Sequence, residues 1–433
     1  MSVAAAAIQA AAPPERLPRL LAEIGQSWVD LSEHRRRAGP IPKVARQPRI
    51  DVIDAIARAG LRGKGGGAFP TARKMETVAS GPGRPVVLVN GAEGEPASGK
   101  DQLLLTRAPH LVVDGGLIAA AAVGAREVII CVDRHATPAL ESVQRALSER
   151  LRVEPTPVPV RLVGVPTHYV SGEETALVRW LNGGEAKPTS GPRPFERGVG
   201  GRPTLVDNVE TLAHAAQIMR WGPTWFRSVG TRAEPGSTLL TVSGAVVRPG
   251  VYEVPVGASL GRVLQRAGAV EGDVAAVLVG GYFGTWLTPE QAADAHMSCN
   301  GLAPYGGSPG SGVVLALPRD VCGVVESARV VSWMAASTAG QCGSCVQGLA
   351  SIAHTAGTIA RGRAPRDAAM ELVRWAGQIE GRGACRLPDG AGRFLRSSLA
   401  TFQHEVDRHL RGGHCPAQRH VLPLPDPVRD TWR

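Results

Sequence analysis

The first half of the chain alternates between short, nearly continuous apolar runs and longer segments whose apolar residues recur at helical spacing. Continuous runs rich in β-branched residues are typical of strands buried on both faces of a parallel sheet. Such strands are predicted at residues 85–90, 127–132 and 158–165. Helices are predicted at residues 16–37, 50–59, 111–124 and 138–151. The β-α-β-α-β order predicts a mostly parallel sheet with ligand-binding loops at its strand ends.

The pattern changes near residue 236. Residues 238–244 alternate as a strand does, and a turn at 248–250 predicts that 251–254 pair back as a hairpin. A helix at 259–267 and a strand at 276–281 complete a small α+β module, and from about residue 320 the pattern is helical to residue 410. We therefore predict an N-terminal segment, a parallel-sheet domain, a small β-rich domain, a helical domain and a tail, at residues 1–44, 45–235, 236–320, 321–418 and 419–433.

Length and composition limit the classes of protein to which the chain can belong. A chain of 433 residues is too long for one core and indicates two or three domains. The formal charge of +10 would suit a nucleic acid, but an aromatic content of 4% leaves little material for base stacking. We therefore predict no nucleic-acid binding, and a weakly positive face for an acidic protein partner fits the charge better.

The sequence predicts neither membrane insertion nor secretion. No apolar run reaches the roughly 20 residues that span a bilayer. The alanine-rich start, residues 1–14, lacks the basic segment of a secretory signal and is interpreted as a frayed terminus. Seven cysteines in a chain of this length do not form a disulfide framework. We expect a cytoplasmic protein with one metal site.

A glycine-rich loop at residues 63–71 is the strongest chemical signal in the chain. Four of the five residues from 63 to 67 are glycine, so the backbone can approach a ligand closely. Successive backbone N–H groups in such a loop form an anion site, and Lys64 and Lys74 add positive charge. A second loop at 90–96 carries an amide and two carboxylates. The two loops together indicate a nucleotide-type cofactor, whose identity the glycines alone leave open.

Two further loops are weak signals by themselves. Glu173 and Glu174 precede a predicted helix, where carboxylates also serve simply to complement the helix dipole. Asn208, in the loop at 203–211, is a candidate for a hydrogen bond to a cofactor and equally for a helix cap. The two loops become informative because they occur in one chain with the glycine loop.

Cys342 and Cys345 form the one closely spaced cysteine pair, and Cys385 lies in a glycine-rich loop farther along the chain. The pair is placed at the start of a predicted helix, which would lower the thiol pKa and favour metal binding. Zinc prefers four ligands, usually in two close pairs, so an iron–sulfur cluster fits the pattern better. Inert buried thiols remain the alternative.

In series, these motifs resemble those of the flavin-bearing, NADH-oxidising 51-kDa (F) subunit of respiratory complex I and of the related diaphorase subunits of hydrogenases and formate dehydrogenases. The resemblance runs from about residue 45 to about residue 415. The loop at 63–71 resembles the family's GRGGAGFPT, and residues 90–101 resemble NADEGEPGTFKD. Residues 169–177 resemble YICGEETAL, and 203–211 resemble PTxVNNVET. Residues 243–250 resemble the family's soluble-ligand-binding β-grasp module.

The resemblance implies an α/β fold: a Rossmann-like FMN-binding domain, a central β-grasp domain and a C-terminal helical bundle with an iron–sulfur site. It also implies FMN, NAD(H) and a cluster held by Cys342, Cys345 and Cys385. Glu95 would lie near the nicotinamide ribose and is the predicted catalytic residue. The implied cofactor-binding residues are Gly63, Lys64, Gly65, Gly66, Gly67, Phe69, Lys74, Asn90, Glu93, Glu95, Tyr169, Gly172, Glu173, Glu174, Asn208 and Thr211.

The chain departs from the family pattern at several positions. Ala339 occupies the place of the first of four cluster cysteines, which predicts a [3Fe–4S] cluster or a [4Fe–4S] cluster with a non-cysteine ligand. Ala92 replaces an acidic residue, and Gly99 and Gly200 replace aromatic residues. Met75 stands where tryptophan is common. Lost aromatic stacking weakens NADH binding more than FMN binding.

Two functional hypotheses follow. The first is an iron–sulfur flavoprotein oxidoreductase that passes electrons between NAD(P)H, FMN and the cluster toward a ferredoxin-like or quinone-linked acceptor. The second is a non-catalytic electron-transfer or assembly paralogue that keeps the fold and has lost NADH oxidation. In both, the partner is a ferredoxin-like or other electron-transfer protein, and the chain is cytoplasmic or peripheral to the inner membrane through a partner complex.

Overall fold

A four-stranded, fully parallel sheet organises the first half of the structure, a computed structural model that describes residues 16–22, 24, 28–39, 49–270, 272–413, 415, 419–426 and 430–433. Its strands are β1 (Val86–Gly91), β2 (Glu127–Asp133), β3 (Val160–Val165) and β4 (Thr204–Asn208), in the order β3-β2-β1-β4. The three strands predicted from apolar runs are confirmed. Strand β4 lies in a segment interpreted only as a loop, and it pairs with β1 up to Asn90 opposite Asn208.

Helices cover both faces of this sheet. They are α1 (Leu31–Ala38), α2 (Arg49–Ala59), α3 (Thr71–Ala79), α4 (Lys100–Arg107), α5 (Pro109–Val123), α6 (Thr137–Val153), α7 (Glu174–Leu181), α8 (Val209–Trp221) and α9 (Pro223–Arg227). The main core lies between the sheet and α2, α5 and α8, and a smaller apolar cluster with α7 covers the opposite face. Helix α5 approaches α8 so closely that a Cβ at Gly115 would overlap the carbonyl group of Leu212.

The predicted helix at 16–37 is wrong over most of its described length. Residues 16–22 form turns and bends, and α1 begins only at Leu31. Asp30 fixes this start, because its side chain accepts a hydrogen bond from the backbone N–H of Glu33 at 2.8 Å. The alanine-rich start at 1–14 lies outside the described residues.

A five-stranded mixed sheet forms the middle of the chain. Its elements are β5 (Ser237–Gly244), β6 (Gly250–Pro255), α10 (Leu260–Arg266), β7 (Val274–Val279), β8 (Thr285–Leu287), α11 (Pro289–Asp294), α12 (Cys299–Leu302) and β9 (Val313–Pro318). The strand order is β6-β5-β9-β7-β8, with β5 and β9 parallel and the other pairs antiparallel. The predicted hairpin of β5 and β6 is confirmed, whereas β8 and β9 were not predicted.

The C-terminal quarter is helical, as predicted. It comprises α13 (Gly323–Ala336), a π-helical turn at Ser344–Leu349, α14 (Ala350–Ala360), α15 (Ala368–Ile379), α16 (Leu387–Thr401) and α17 (Gln403–Leu410). One face of the mixed sheet packs against this bundle in a shared core that includes Trp286, Tyr282 and Phe394. The other face packs against α10 and α11. The mixed sheet therefore lies between the bundle and a second helical layer.

Among the described residues, no single helix has both the length and the apolar character to cross a bilayer. Helices α4 and α5 reach those limits only as a pair bent by 98°. Helix α5 is almost entirely buried against the parallel sheet and α8, as expected for a core helix.

Candidate functional site

The glycine loop connects α2 to α3 and folds back onto the start of α8. Its ends are closed by a hydrogen bond from the Gly63 N–H to the Phe69 carbonyl at 2.9 Å. The backbone N–H of Lys64 donates to the Thr211 hydroxyl at 2.8 Å. A Cβ at Gly65 would lie 3.2 Å from the Cβ of Asn208, so a side chain there would crowd the amide. The loop is thus held against α8 by Lys64 and Gly65.

The outer part of the same loop is open. Gly66 has a φ of +107°, a conformation that favours glycine, and a Cβ at Gly67 would meet nothing within 4 Å. The ring of Phe69 is 54% exposed. These residues form an accessible rim of the loop.

A buried polar network lies behind the loop, where β1 and β4 end. The Lys100 ammonium group is 2.6 Å from the Asp101 carboxylate and 3.0 Å from that of Glu210. Asn208 caps α8 by accepting the Glu210 N–H at 3.0 Å, and its amide donates to Asp101 at 2.5 Å. Burial would lower the pKa of Lys100, but the two carboxylates outweigh it and raise that pKa. Lys100 is therefore a fixed cation under the loop.

Sequence reasoning did not select Lys100 or Glu210 as site residues. The available signals were the Lys100-Asp101 pair after Gly99 and the concentration of the scarce lysines between residues 64 and 100. Only the fold shows that α4 and α8 bring their first turns together.

Glu93 follows β1 and points to the start of α4. Its carboxylate accepts the backbone N–H groups of Asp101 at 3.3 Å and Gln102 at 3.2 Å, together with the hydroxyl of Ser98. Burial and the nearby Asp101 carboxylate raise the pKa of Glu93 to about 7. The side chain consequently holds the loop at 90–101 in shape whether or not it also contacts a cofactor.

Glu95 joins three segments of the chain. Its carboxylate accepts the backbone N–H of Tyr282 at 2.8 Å and that of Ala97 at 3.3 Å, and the Tyr169 hydroxyl donates to it at 3.4 Å. Burial raises the pKa of Glu95 to about 7. Tyr282, after β7, was not predicted as part of the site. Glu95 can therefore carry or release a proton near neutral pH.

Lys74 lies on α3 beside the end of β4. Its ammonium group donates to the Val206 carbonyl at 2.5 Å and lies 3.5 Å from the carboxylate of Glu174. It also lies 4.0 Å from the carboxylate of Asp207. Burial raises the pKa of Asp207 to about 6, with Lys74 opposing the shift. The structure thus brings Lys74 and Glu174 together, and their contact with a cofactor stays a prediction.

Glu173 has the structural role that the sequence left open. Its carboxylate caps α7 by accepting the backbone N–H groups of Thr175 at 2.9 Å and Ala176 at 3.1 Å. The preceding Gly172 accepts a hydrogen bond from the Asn90 amide at 2.8 Å, and a Cβ at Gly172 would overlap the Ala92 carbonyl. The crossing of two loops at the edge of the parallel sheet is therefore fixed by Asn90, Gly172 and Glu173.

The three predicted cluster cysteines come together at the end of the bundle nearest these loops. Cys342 precedes the π-helical turn and Cys345 lies within it, and the Ala384 N–H donates to Cys342 Sγ at 3.4 Å. Burial, reinforced by the charges of Cys385 and Cys342, raises the pKa of Cys345 to about 12. The expected lowering of the thiol pKa at a helix start is therefore wrong for Cys345. A bound cation would supply the missing compensation.

The spacing of these thiols fits a cluster better than a single ion. In the described part of the chain, Cys342, Cys345 and Cys385 do not form a set whose donor atoms all lie within 4.8 Å of one another. A cluster binds each thiolate to a different iron, which requires wider spacing than ligands of one ion. Ala339 packs against the apolar core of the bundle and offers no donor.

The loop at 169–174 lies between the two groups of residues. The Tyr169 ring makes edge-on contacts with Phe283 at 5.2 Å and Trp333 at 4.9 Å between centroids, while its hydroxyl reaches Glu95. Burial and the Glu95 carboxylate raise the pKa of Tyr169. Tyr169 therefore joins Glu95 to the apolar core of the bundle, against which Cys385 also packs.

Comparisons with known proteins agree with this arrangement. Residues 56–217 match the model of the Nuo51 FMN-binding domain, and residues 326–409 match that of the NADH-ubiquinone oxidoreductase-F iron–sulfur binding region. The second NADH-quinone oxidoreductase F subunit of Rhizobium meliloti is 30% identical over 84% of this chain and 90% of its own length. The corresponding protein of Streptomyces coelicolor is 30% identical over 96% of both chains.

A solved structure shares the fold. A chain in the crystal structure of an NAD⁺-reducing [NiFe]-hydrogenase in its H₂-reduced state superposes with a TM-score of 0.80 at 31% identity. The match covers 92% of this chain and 67% of the hydrogenase chain. It therefore includes the parallel sheet, the mixed sheet and the helical bundle together.

Proposed function

Because this chain belongs to the family of NADH-quinone oxidoreductase F subunits, we propose that it passes electrons from a nicotinamide nucleotide, through FMN and an iron–sulfur cluster, to a small ferredoxin-like protein. The family relationship makes the chain an NADH dehydrogenase-type oxidoreductase with FMN and an iron–sulfur cluster. The acceptor and the roles of individual residues are our proposal. A formal charge of +10 supports an acidic acceptor, because opposite fields speed docking.

The observation that carries this proposal is the position of Tyr169. Its hydroxyl lies 3.4 Å from Glu95, and Tyr169 and Cys385 both pack against the apolar core of the bundle. A cofactor beside Glu95 and a cluster on the three cysteines would then both lie near this aromatic side chain. The arrangement supports direct electron transfer between two groups bound by one chain.

The glycine loop fits the phosphate end of FMN. Its backbone approaches Asn208 at Gly65 and is open at Gly67, so N–H groups of the loop can face an anion. The fixed cation Lys100 lies beneath, and Lys74 lies farther along the same sheet edge. We propose that Gly65, Gly66 and Gly67 bind the phosphate and that Asn208, with Lys74, binds the ring system.

Glu95 is the proposed contact for the nicotinamide ribose. Its carboxylate is held by two backbone N–H groups and by Tyr169, so its orientation is set before a ligand arrives. With a pKa of about 7, it can hold a proton at physiological pH. FMN, when bound, supplies the conversion between hydride transfer and single-electron transfer.

Cys342, Cys345 and Cys385 are the proposed cluster ligands. Their number leaves one iron corner without a cysteine, and Ala339 has no donor atom to fill it. The cluster would be a [4Fe–4S] cluster with a non-cysteine ligand or a [3Fe–4S] cluster. Bound iron would supply the positive charge that offsets the raised pKa of Cys345 and Cys385.

A second candidate function rests on two glycines. Gly99 and Gly200 stand where aromatic residues are expected, and a Cβ at either position would meet nothing within 4 Å. Without these two aromatic rings, the site lacks stacking interactions worth about 1 kcal/mol for each ring. This favours a paralogue that keeps FMN and the cluster but receives electrons from another protein rather than from NADH.

Anaerobic reduction of the purified holoprotein distinguishes the two candidates. We expect NADH to bleach the flavin absorbance and then to reduce an added ferredoxin, with a rate that falls as ionic strength rises. Glu95→Gln should slow bleaching by NADH while leaving bleaching by dithionite unchanged. Bleaching by dithionite alone would contradict NADH oxidation and favour the second candidate.

A further inference from the structure

A second group of metal-binding side chains lies elsewhere in the helical bundle. Cys322 precedes α13, His409 lies in the last turn of α17, and Cys415 follows that helix. One donor atom from each of the three lies within 4.8 Å of the other two. Cys322 and His409 are buried, and Cys415 is half-buried. Neither the proposed FMN site nor the proposed cluster uses these residues.

The distances match those of ligands on one tetrahedral ion. His409 Nε2 lies 3.5 Å from Cys322 Sγ and 3.4 Å from Cys415 Sγ. Zinc bonds of about 2.3 Å to sulfur and about 2.0 Å to nitrogen, at the tetrahedral angle, place those atoms about 3.6 Å apart. One ring nitrogen is thus directed between two sulfur atoms at the separation that a shared ion requires.

Glu405 provides a fourth donor beside the same group. Its carboxylate accepts a hydrogen bond from Cys322 Sγ at 3.1 Å and from the Val324 N–H at 3.3 Å. Glu405 and His409 are four residues apart on α17 and so share one helix face. Two sulfurs, one imidazole and one carboxylate or water are a donor set typical of zinc.

The described residues provide partners for only one ring nitrogen of His409. His409 Nδ1 is buried and has no hydrogen-bond partner among the described residues. A divalent cation would offset the negative charge of two thiolates and a carboxylate.

We propose that Cys322, His409 and Cys415 bind one Zn²⁺ ion, with Glu405 or a water molecule as the fourth ligand. The ion joins the end of α17 to the junction of β9 and α13. It is separate from the iron–sulfur site, because the fourteen residues of α13 between Cys322 and the loop of Cys342 span about 20 Å. Such an ion has no redox role. It stabilises the contact between the end of α17 and the start of α13.

Metal analysis of the full chain, purified without oxygen from zinc-supplemented medium, tests the proposal. We expect one zinc per chain in addition to the cluster iron. Cys415→Ser and His409→Gln should each remove the zinc while iron and flavin remain, which also shows that the variants fold. Cys345→Ala, as the matched control, should lose iron and keep zinc. X-ray absorption at the zinc edge should give two sulfur ligands at about 2.3 Å and lighter ligands at about 2.0 Å.

Three results would overturn the proposal. Equal zinc content in the wild type and in Cys415→Ser would show that these residues do not bind it. Zinc lost in Cys345→Ala would assign the ion to the other cysteines. A disulfide between Cys322 and Cys415, found by peptide mapping of the anaerobically purified chain, would show that the pair is oxidised rather than metal-bound.

Discussion

The helical bundle contains two cysteine groups of similar composition and different geometry. Cys342, Cys345 and Cys385 are spread around the start of a π-helical turn, and their donor atoms do not all fall within 4.8 Å in the described residues. Cys322, His409 and Cys415 do satisfy that limit. Cys385 of the first group packs against the same apolar core as Tyr169, whereas the second group brings the end of α17 beside the start of α13. We therefore expect the separation of the donors, more than their number, to distinguish an electron-transfer site from a structural one.

Loss of one cluster ligand is the strongest test of this difference. We expect Cys345→Ala to lose its iron and to slow electron transfer to an added ferredoxin by more than about 100-fold, since even losing a hydrogen-bond partner of a metal ligand costs about 10–100-fold. Flavin content should stay at the wild-type level because the flavin residues belong to the parallel-sheet region. Iron, sulfide and flavin analysis gives the readout.

The matched control is Cys131→Ala, which removes a thiol buried in β2 away from both groups. It should retain iron, sulfide and flavin. Equal loss of flavin and iron in Cys345→Ala would show that the two regions do not load independently.

A second test uses the ionisable side chain of Glu95, to which the Tyr169 hydroxyl donates a hydrogen bond. Burial raises the pKa of Glu95 from 4.5 to about 7 in the folded chain. The folded state then binds the proton more tightly than the unfolded state, so this contribution to stability is greatest below pH 4.5 and is lost as pH rises to about 7. Relative to Glu95→Gln, the wild type should lose up to about 3 kcal/mol of stability across that window.

Thermal unfolding midpoints of both proteins, measured through this pH range, provide the readout for Glu95. Glu141→Gln, an isosteric change at an exposed position on α6, is the control and should follow the wild-type profile. Parallel profiles for the wild type and Glu95→Gln would contradict the proposed titration.

The smallest expected effect is a gain of bound iron. Ala339→Cys restores a thiol at the position where the family has its first cluster cysteine, next to Gly340 in the left-handed conformation. We expect a changed cluster signal in electron paramagnetic resonance and up to one additional iron per chain, with no change in the zinc bound by Cys322. Ala339→Ser should not reproduce the gain of iron, because a hydroxyl is a poorer ligand for iron than a thiolate. An unchanged cluster signal would mean that residue 339 does not face the cluster.

Much of the parallel sheet was predictable because β1 and β2 each contain a continuous apolar run. β1 and β2 are buried on both faces, and that burial produces the continuous apolar runs from which they were predicted. β4 is only five residues long and ends in Asp207 and Asn208, so its strand character depends on pairing with β1. β8 has three residues and is likewise defined by its neighbour β7. The domain boundaries stay predictions.

The candidate site likewise divides into residues that the sequence predicted and roles that only the structure shows. The motifs predicted cofactor-binding residues, and the structure places two of them, Asn90 and Asn208, opposite each other at the ends of β1 and β4. Lys74 contacts β4 through the Val206 carbonyl. The structure also shows that Glu173 caps α7 and that Gly172 permits a loop crossing, roles that motif spacing does not distinguish from cofactor contact. Direct contact of these residues with FMN stays a prediction.

The sequence by itself determined the parallel-sheet class, the glycine loop and the cysteine pair at 342 and 345, because each depends on residues close together in the chain. Tertiary structure alone decided that Lys100 lies under the loop, that Tyr282 holds Glu95, and that Cys322 meets His409 across 87 residues. Those contacts depend on helix packing and strand order, which local spacing does not encode.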